Sequence, residues 1–258
     1  MQNVSDTGLV FDGVAEAREI ERSLLDLGGL SGKSLVIIQG DGEGRESTYV
    51  KLKREVGERL GVKIIVVFAS GVEAVGREIK RANEDNKVDG ILVQLPIKGA
   101  DRGEIEQVLS TIDTGKDIDG LNPKSEFIPA VVMAVETVME KINLDRGKAL
   151  AVVGAEGMTG TRLYDRLIEL GFVVSGFDKG DDLMKLVDFD VVISCTGVEG
   201  VIKQEMVKMG FVGIDLGYPR AEFSREAIER TGVITPVPGG VGPITIVSLF
   251  VNLAETGQ

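Results

Sequence analysis

The chain has 258 residues and a formal net charge of -12, and it contains no histidine. Its acidic charge argues against a nucleic-acid partner, because phosphate backbones select proteins with a surplus of lysine and arginine. Without histidine, imidazole bases, His-based triads and the usual zinc sites are excluded, and we expect no metal. Acid–base chemistry in this chain must therefore use Lys, Tyr, Asp, Glu or water.

Cysteine content and apolar patterning bear on where the protein works. The single cysteine, Cys195, allows no intramolecular disulfide, and no apolar run is long enough to span a membrane. The N-terminal residues also lack a basic region followed by an apolar stretch. These features predict a cytoplasmic protein with no membrane partner.

Short, β-branched, nearly continuous apolar runs alternate with amphipathic stretches along the whole chain. Such runs are typical of parallel strands that are buried on both faces. The alternation predicts an α/β fold with two lobes, each built on a mostly parallel sheet. The predicted strands are residues 35–39, 63–68, 90–94, 149–153, 172–175, 190–194 and 211–215, and the predicted helices include residues 46–60, 71–84, 130–142 and 161–170.

The helix predicted over residues 46–60 carries a lysine on its apolar face. At about 100° per residue, Lys53 shares this face with four other residues. They are Tyr49, Leu52, Val56 and Leu60. A partly dry lysine can have a lowered pKa that suits proton transfer, but its stem can equally carry the charge to the surface. On spacing alone, both interpretations stay open.

Three further segments of the chain have unusual composition. Gln94 ends a predicted strand just before Leu-Pro, where open α/β sheets bind ligands, although it could also serve a neighbouring backbone group. Residues 116–120, Lys-Asp-Ile-Asp-Gly, form an acidic turn that by itself is typical of a solvated loop. Residues 235–245 hold three prolines and three glycines, which indicates either a shaped wall beside a ligand or an ordinary turn.

A glycine-rich turn follows the predicted strand 149–153. Gly154, Gly157 and Gly160 precede an amphipathic stretch whose N-terminus could hold a pyrophosphate, although a plain strand–helix turn has the same pattern. Asp178 ends the next predicted strand, where a carboxylate can bind the adenine ribose and repel the extra phosphate of NADP. A dinucleotide bound at this turn would be NAD or NADP, with NAD favoured, although the adjacent Lys179 opposes this preference. Cys195 has no imidazole partner, so we expect it to pack as a small apolar group.

Four of these segments, in this order, resemble motifs of the methylenetetrahydrofolate dehydrogenase/cyclohydrolase family. Residues 49–53 are similar to its Tyr-x-x-x-Lys motif, and residues 90–96 to its Gln-Leu-Pro segment. Residues 116–120 resemble its Lys-Asp-Val-Asp-Gly turn. Residues 235–245 match its Thr-Pro-Val-Pro-Gly-Gly-Val-Gly-Pro-x-Thr loop almost letter for letter. The resemblance extends over nearly the whole chain, from residue 12 to residue 252.

The resemblance implies a bifunctional enzyme of one-carbon metabolism. It would oxidise 5,10-methylenetetrahydrofolate with NAD or NADP and hydrolyse the methenyl product to 10-formyltetrahydrofolate, which supplies purine biosynthesis. Lys53 would assist the proton transfers and Gln94 would orient it, while Tyr49 would stack on the folate and Asp119 would hold the pterin. Pro238, Gly239, Gly240, Val241, Gly242 and Pro243 would line the substrate site. The residues near the dinucleotide would be Gly154, Ala155, Glu156, Gly157, Gly160, Asp178, Cys195, Thr196, Gly197, Asp215 and Gly217.

The family resemblance also implies a domain division and a homodimer. The N-terminal catalytic, folate-binding lobe would comprise residues 1–143, completed by a C-terminal helix in 241–258. A Rossmann-type NAD(P)-binding lobe would comprise residues 144–240, with the active site in the cleft. The substrate would be a small molecule of the tetrahydrofolate type.

The chain departs from the family pattern in three places. The family's Pro-Cys-Thr-Pro segment, which walls the folate site, has its nearest match in Phe-Ile-Pro-Ala at residues 127–130. Ala155 and Glu156 replace an Arg and a Ser of the glycine-rich turn, and the loop before Tyr49 is one residue longer, which moves Ser47 from the usual serine position. Three alternatives stay open: a monofunctional NAD-dependent dehydrogenase, an enzyme for a modified pterin carrier, and a noncatalytic dinucleotide-binding regulatory module.

Overall fold

The computed structural model describes residues 8–257 and the backbone of residues 2–4. The strands are, in chain order, β1 (Gln2–Val4), β2 (Gly8–Val10), β3 (Ser34–Gln39), β4 (Lys63–Phe68), β5 (Gly90–Gln94), β6 (Ala149–Val153), β7 (Val173–Phe177), β8 (Val191–Ser194), β9 (Phe211–Asp215) and β10 (Thr231–Ile234). The α-helices are α1 (Gly13–Leu27), α2 (Thr48–Arg59), α3 (Val72–Glu84), α4 (Arg102–Leu109), α5 (Ala130–Lys141), α6 (Met158–Glu169), α7 (Arg225–Ile228) and α8 (Val241–Glu255). Two 3-10 helices span Leu183–Asp188 and Gln204–Met206.

The contacts divide the chain into two compact units, each made of two chain segments. The first unit joins the segment that ends at Arg18 to Val131–Thr245. The second unit joins Glu19–Ala130 to the segment that begins at Ile246. Each unit therefore needs residues from distant parts of the sequence.

The second unit is built on a three-stranded parallel sheet in the order β4-β3-β5. All six residues of the central strand β3 are buried, as expected for a strand covered on both faces. Leu249, Phe250 and Leu253 of α8 join the same core and are fully buried. Since burial of a Leu or Phe side chain contributes about 1.5–3 kcal/mol, the last helix is a substantial part of this unit's stability.

The first unit contains a seven-stranded sheet in the order β1-β2-β10-β9-β8-β6-β7. Strand β1 runs antiparallel to β2, and the remaining neighbours are parallel. Within β6–β10, the strands lie in the order second, first, third, fourth, fifth. This is a doubly wound, Rossmann-like arrangement, in which ligands bind beyond the carboxyl ends of the first and third strands, here β6 and β8.

The predicted α/β fold with mostly parallel sheets is confirmed. All seven predicted strands are present, with bounds that differ by two residues or fewer. The sequence patterns do not predict α1, α4 or the strands β1, β2 and β10. The strands among these are only three or four residues long, and β2 and β10 pair from opposite ends of the chain.

The contact division differs from the predicted lobes of 1–143 with 241–258 and 144–240. Strand β2 accounts for part of the difference, because Leu9 and Val10 pair with Val233 and Ile234 in the first unit. Helix α5 also falls almost wholly in the first unit, which begins again at Val131. Within residues 8–257, no helix is long and apolar enough to cross a membrane.

Candidate functional site

The strands β3 and β5 lie side by side in the second unit, and each ends in a glutamine. Gln39 and Gln94 are opposite each other in the parallel register. Strand β3 lies between its two successors, so the connection to β4 runs to one side of β3 and β5 is added on the other side. Such a switch point at the carboxyl edge is where open α/β sheets bind ligands.

Lys53 of α2 reaches this edge and binds Gln94. Its side chain is buried, with 8% exposure, and Nζ donates a 2.9 Å hydrogen bond to Gln94 Oε1. The amide nitrogen of Gln94 donates to the carbonyl of Leu95 at 2.9 Å. This second bond fixes the amide so that its oxygen is directed at Nζ of Lys53.

Helix α2 buries a narrower face than the sequence pattern predicts. Its buried residues are Val50, Lys53 and Gly57, at positions i, i+3 and i+7. The inward placement of Lys53 is therefore confirmed, and Tyr49, one turn earlier, is half-buried. The placement of Leu52 on the same face is wrong, because its side chain is 40% exposed.

Asp119 is the ionisable neighbour that acts on Lys53. Burial lowers the pKa of Lys53, and the Asp119 carboxylate opposes this effect. Burial likewise raises the pKa of Asp119, and Lys53 opposes that shift. Desolvation is the larger cause for both groups, so the environment favours the uncharged lysine and the uncharged carboxyl. Lys53 can therefore give up a proton closer to neutral pH than an exposed lysine can.

Gln39, which the sequence patterns do not single out, holds the loop between β3 and α2. Its side chain is 1% exposed, and Nε2 donates to Asp41 Oδ2 at 2.7 Å and to the carbonyl of Arg45 at 2.8 Å. Its Oε1 accepts from the N–H of Ser47 at 2.9 Å. Ser47 in turn caps α2 by accepting from the N–H of Val50. The signal in the sequence that could have identified Gln39 is its position as a polar residue at the end of an apolar strand.

The turn 116–120 is a buried scaffold rather than a solvated loop. Lys116 Nζ donates to three backbone carbonyls around the end of α3, at 3.0–3.2 Å. Asp117 is 1% exposed, and its Oδ2 accepts from the N–H of Asn122 at 2.7 Å. Burial raises the pKa of Asp117 to about 6. Asn252 of α8 donates to the carbonyl of Ile118 at 2.8 Å, which ties this turn to the last helix.

The first unit contains the glycine turn between β6 and α6. Gly154 has a φ of +89°, and an added Cβ would lie 2.8 Å from the carbonyl oxygen of Cys195. At Gly160 an added Cβ would lie 1.9 Å from the carbonyl oxygen of Gly154. Helix α6 begins after Gly157, which provides no side-chain cap for the first N–H groups. The close approach and the uncapped helix start fit the pyrophosphate of a dinucleotide.

Asp178 lies beside this turn, at the carboxyl end of β7. Its Oδ2 accepts from the N–H of Glu156 at 2.9 Å. Its own N–H donates to Asp181 Oδ2 at 2.7 Å. The carboxylate of Asp178 thus contacts the glycine turn, and that of Asp181 contacts the backbone of Asp178.

Cys195 follows β8 and is held as a thiol. Its Sγ donates to the carbonyl of Val153 at 3.3 Å. Burial, followed by the nearby carboxylates of Glu222 and Asp178, raises the pKa of this thiol to about 12. The thiolate needed for nucleophilic or redox chemistry is therefore disfavoured.

Glu222 joins the loops that follow β8 and β9, and the sequence patterns do not single it out. Its carboxylate is 1% exposed. Oε2 accepts from Ser194 Oγ at 2.5 Å and from the N–H and Oγ1 of Thr196 at 2.8 and 2.7 Å. Oε1 accepts from the N–H of Gly197 at 2.7 Å. A glutamate in an irregular segment gives no sequence signal for such a contact set.

The side chain of Asp215 binds backbone N–H groups of the loop that follows β9. It is 3% exposed and accepts from the N–H groups of Gly217, Glu222 and Phe223 at 2.8, 2.8 and 3.3 Å. Burial raises the pKa of Asp215 to about 6. Its carboxylate therefore shapes the loop after β9, including the predicted cofactor residue Gly217.

The segment 238–243 belongs to the loop after β10 and the first turn of α8. Gly239 has a φ of +104°, and the N–H of Gly240 donates to the carbonyl of Pro236 at 2.8 Å. An added Cβ at Gly13 would lie 1.9 Å from the carbonyl oxygen of Gly240, so two backbone segments touch here. Val241 is 3% exposed, whereas Pro238 and Gly242 are exposed and Pro243 is half-buried.

Two groups of predicted site residues are thus brought together, one in each unit. Lys53, Gln94 and Asp119 meet in the second unit, with Tyr49 one helical turn away. In the first unit, the turn 154–160, Asp178 and residues 195–197 meet around the carboxyl ends of β6, β7 and β8. These features define an α/β protein whose first unit has a Rossmann-like crevice and whose second unit has a buried lysine site.

Comparisons with known proteins identify the two domains of one family in the chain. The family model for the catalytic domain of tetrahydrofolate dehydrogenase/cyclohydrolase matches residues 12–119, and the model for its NAD(P)-binding domain matches residues 129–258. The bifunctional protein FolD of Staphylococcus saprophyticus is 31% identical over 272 residues, which cover 94% of each chain.

Solved structures are similar over nearly the whole chain. The bifunctional FolD of Campylobacter jejuni has a TM-score of 0.85 and 28% identity, over 97% of this chain and 98% of that one. The Trypanosoma brucei enzyme, solved with NADP and an inhibitor, has a TM-score of 0.85 and 26% identity, over 95% and 96%.

The chain belongs to the tetrahydrofolate dehydrogenase/cyclohydrolase family. The family resemblance predicted from the motifs is confirmed, and so is the main functional prediction of a bifunctional dehydrogenase and cyclohydrolase. NAD(P) is its cofactor class. The choice between NAD and NADP and the role of each residue go beyond these similarities.

Proposed function

We propose that the chain oxidises 5,10-methylenetetrahydrofolate with NAD and hydrolyses the methenyl product to 10-formyltetrahydrofolate, with Lys53 as the proton-transfer group. The observation that carries this proposal is the buried contact between Lys53 and Gln94 beside Asp119. Hydride transfer mainly requires two aligned rings and has no need of a buried lysine with a lowered pKa. Hydrolysis does need a group that takes up and returns a proton.

Lys53 can serve both proton transfers of the hydrolysis. The uncharged amine accepts a proton from the water that attacks the methenyl carbon, and a C–O bond forms. The resulting ammonium returns this proton to the ring nitrogen as the bond between that nitrogen and the carbon breaks, while the new hydroxyl loses its proton to solvent and becomes the formyl C=O. The net reaction therefore consumes one water and releases one proton. Gln94 keeps Nζ in place through its oriented amide oxygen. Asp119 holds the N–H groups of the pterin, and Tyr49 stacks on the ring.

The first unit binds and orients the nicotinamide cofactor, which when bound accepts the hydride. The first turn of α6 would hold its pyrophosphate, with Gly154, Ala155, Glu156, Gly157 and Gly160 forming the close wall. Residues 195–197 and 215–217 would lie along the dinucleotide. Residues 238–243 would line the folate side.

NAD is the proposed cofactor because of Asp178. Its Oδ2 accepts the Glu156 N–H, which places the carboxylate at the glycine turn, where an adenine ribose is bound in dinucleotide folds. The carboxylate of Asp181, which accepts from the N–H of Asp178, adds to the negative charge there. This charge disfavours the additional phosphate of NADP. The cytoplasmic location, the homodimer and the link to purine biosynthesis stay predictions from sequence.

A spectrophotometric assay tests the function. Methylenetetrahydrofolate is supplied with NAD or NADP, and methenyl hydrolysis is followed separately. We expect reduction of NAD, and a loss of hydrolysis of about a hundredfold or more in Lys53→Met, because removal of a general base costs that much.

Lys51→Met is the matched control, because Lys51 lies on the same helix with an exposed side chain. It should retain both activities. Oxidation without hydrolysis in the wild type would support the monofunctional alternative, for which the missing Pro-Cys-Thr-Pro segment is the specific observation. Dinucleotide binding without any folate turnover would support a regulatory module or a modified carrier.

A further inference from the structure

We propose that Glu222 is a positioning residue for dinucleotide binding, whose buried carboxylate sets the shape of the loop 194–197. The inference rests on the assignment of the crevice between β6 and β8 to NAD(P). Glu222 itself lies in the segment after β9 and acts on the cofactor through this loop.

The loop is one wall of that crevice. Strands β6 and β8 are neighbours, and Val153 is paired with Ser194 where they end. The N–H of Cys195 then donates to the carbonyl of Val153 at 2.9 Å. Gly154, the first residue of the glycine turn after β6, also lies close to this loop: an added Cβ there would be 2.8 Å from the carbonyl oxygen of Cys195. The position of the loop therefore fixes the space beside the glycine turn.

The two oxygens of Glu222 are both committed to backbone donors. Oε2 accepts from the N–H of Thr196 and Oε1 from the N–H of Gly197. A backbone N–H can only donate, so both positions must be acceptors. A carboxylate provides two acceptors, whereas an amide places a donor against one of these N–H groups.

Glu222 is itself held firmly by its main chain. Its N–H donates to Asp215 Oδ2 at 2.8 Å, and its carbonyl accepts from the N–H of Ile202 at 3.0 Å. Asp215 is the last residue of β9, and its own N–H donates to Thr235 Oγ1 at 2.8 Å. The carboxylate is thus a rigid support anchored to the sheet.

Cys195 is also held by the carbonyl of Val153, but the N–H groups of Thr196 and Gly197 donate to Glu222. Cys195 and Thr196 are half-buried, and Gly197 is exposed with a φ of +72°. Such a short segment of small residues buries little apolar surface and depends on hydrogen bonds for its shape. If the loop populates its binding shape only part of the time, the apparent dinucleotide affinity falls by that fraction.

Glu222→Gln tests the proposal, with NADH binding measured by fluorescence titration and methenyl hydrolysis measured without dinucleotide. We expect the dissociation constant for NADH to rise about tenfold or more, because loss of hydrogen bonds to a charged group has an effect of this size. Hydrolysis should stay within about twofold of wild type, since it uses the second unit and needs no cofactor. A general loss of folding would instead weaken NADH binding and slow hydrolysis together.

Glu229→Gln is the matched control, because it makes the same chemical change at an exposed position of the first unit. It should leave both readouts unchanged. Ser194→Ala is a milder second variant, which removes one donor to Glu222 and should raise the NADH dissociation constant about threefold.

An unchanged NADH dissociation constant in folded Glu222→Gln would overturn the proposal. If Glu222→Gln does not fold, an unchanged value in Ser194→Ala would overturn it instead. Because binding is measured directly, a wild type that binds NADH but does not turn over folate would refute the proposed function while leaving the role of Glu222 testable.

Discussion

Lys53 and Gln94 form a 2.9 Å hydrogen bond in which a neutral amide oxygen accepts from the lysine Nζ. The amide nitrogen of Gln94 donates to the carbonyl of Leu95. The lysine is therefore held in place without the addition of a charge. This matters because a second carboxylate near the lysine would cancel the effect of burial on its pKa.

Gln94→Glu should move the pH profile of methenyl hydrolysis to higher pH. A glutamate carboxylate favours the charged lysine, so the pKa of Lys53 rises and less amine is present at neutral pH. We expect the rising limb of the profile to shift by about one unit or more. Initial rates measured between pH 6 and 10 check this.

Two variants control this experiment. Asp119→Asn removes the carboxylate that raises the pKa of Lys53, so the limb should shift in the opposite direction. Gln107→Glu makes the same change as Gln94→Glu at an exposed position of α4 and should leave the profile in place. A profile that is identical in Gln94→Glu and wild type would rule out Lys53 as the titrating base.

Asp178→Asn should weaken the preference for NAD over NADP. The asparagine keeps an oxygen that can accept the N–H of Glu156, while it removes the charge that repels the extra phosphate. We expect the ratio of kcat/KM for NAD to that for NADP to fall about tenfold, equivalent to about 1.4 kcal/mol. Steady-state kinetics with each cofactor measures it, with the exposed Glu205→Gln as control. An unaltered ratio would remove Asp178 from cofactor selection.

Asp117→Asn should change how stability depends on pH. Burial raises the pKa of Asp117 from 3.8 to about 6, so the folded protein binds this proton more tightly than the unfolded chain. Its contribution therefore stabilises the fold at low pH and is lost as the pH rises from about 4 to about 6. The size of the change is about 3 kcal/mol at most.

Urea unfolding at intervals between pH 4 and 8 measures this dependence. The free energy of unfolding of Asp117→Asn should decrease less than that of wild type across the window. Some decrease should persist, because burial also raises the pKa of Asp215 to about 6. Asp26→Asn, an exposed position of the second unit, is the control. Parallel curves for Asp117→Asn and wild type would contradict the prediction.

The parts of the fold that were predictable from sequence are those with strong local patterns. Strands such as β3 and β6 are continuous apolar runs, and burial on both faces produces that pattern directly. Strand β2 is different, because its three residues lie in the sheet through pairing with β1 and with β10. No local periodicity encodes a partner from the other end of the chain.

The candidate site divides in the same way. Lys53 and Gln94 stand out in sequence because each is a polar residue in an otherwise apolar pattern. Glu222 does not, because it is a charged residue in an irregular and mostly polar segment. Its importance arises from donors on a different loop, which only the folded sheet brings within 2.5–2.8 Å.

The interleaving of the two units has a consequence for synthesis on the ribosome. Leu249, Phe250 and Leu253 of the last helix belong to the same core as Leu24, which is near the start of the second unit. This core is therefore incomplete until the last helix has been synthesised. Strand β2 likewise waits for β10 before the sheet of the first unit is complete. Neither unit can finish folding as the chain emerges, and both become complete only when nearly all of it has been made.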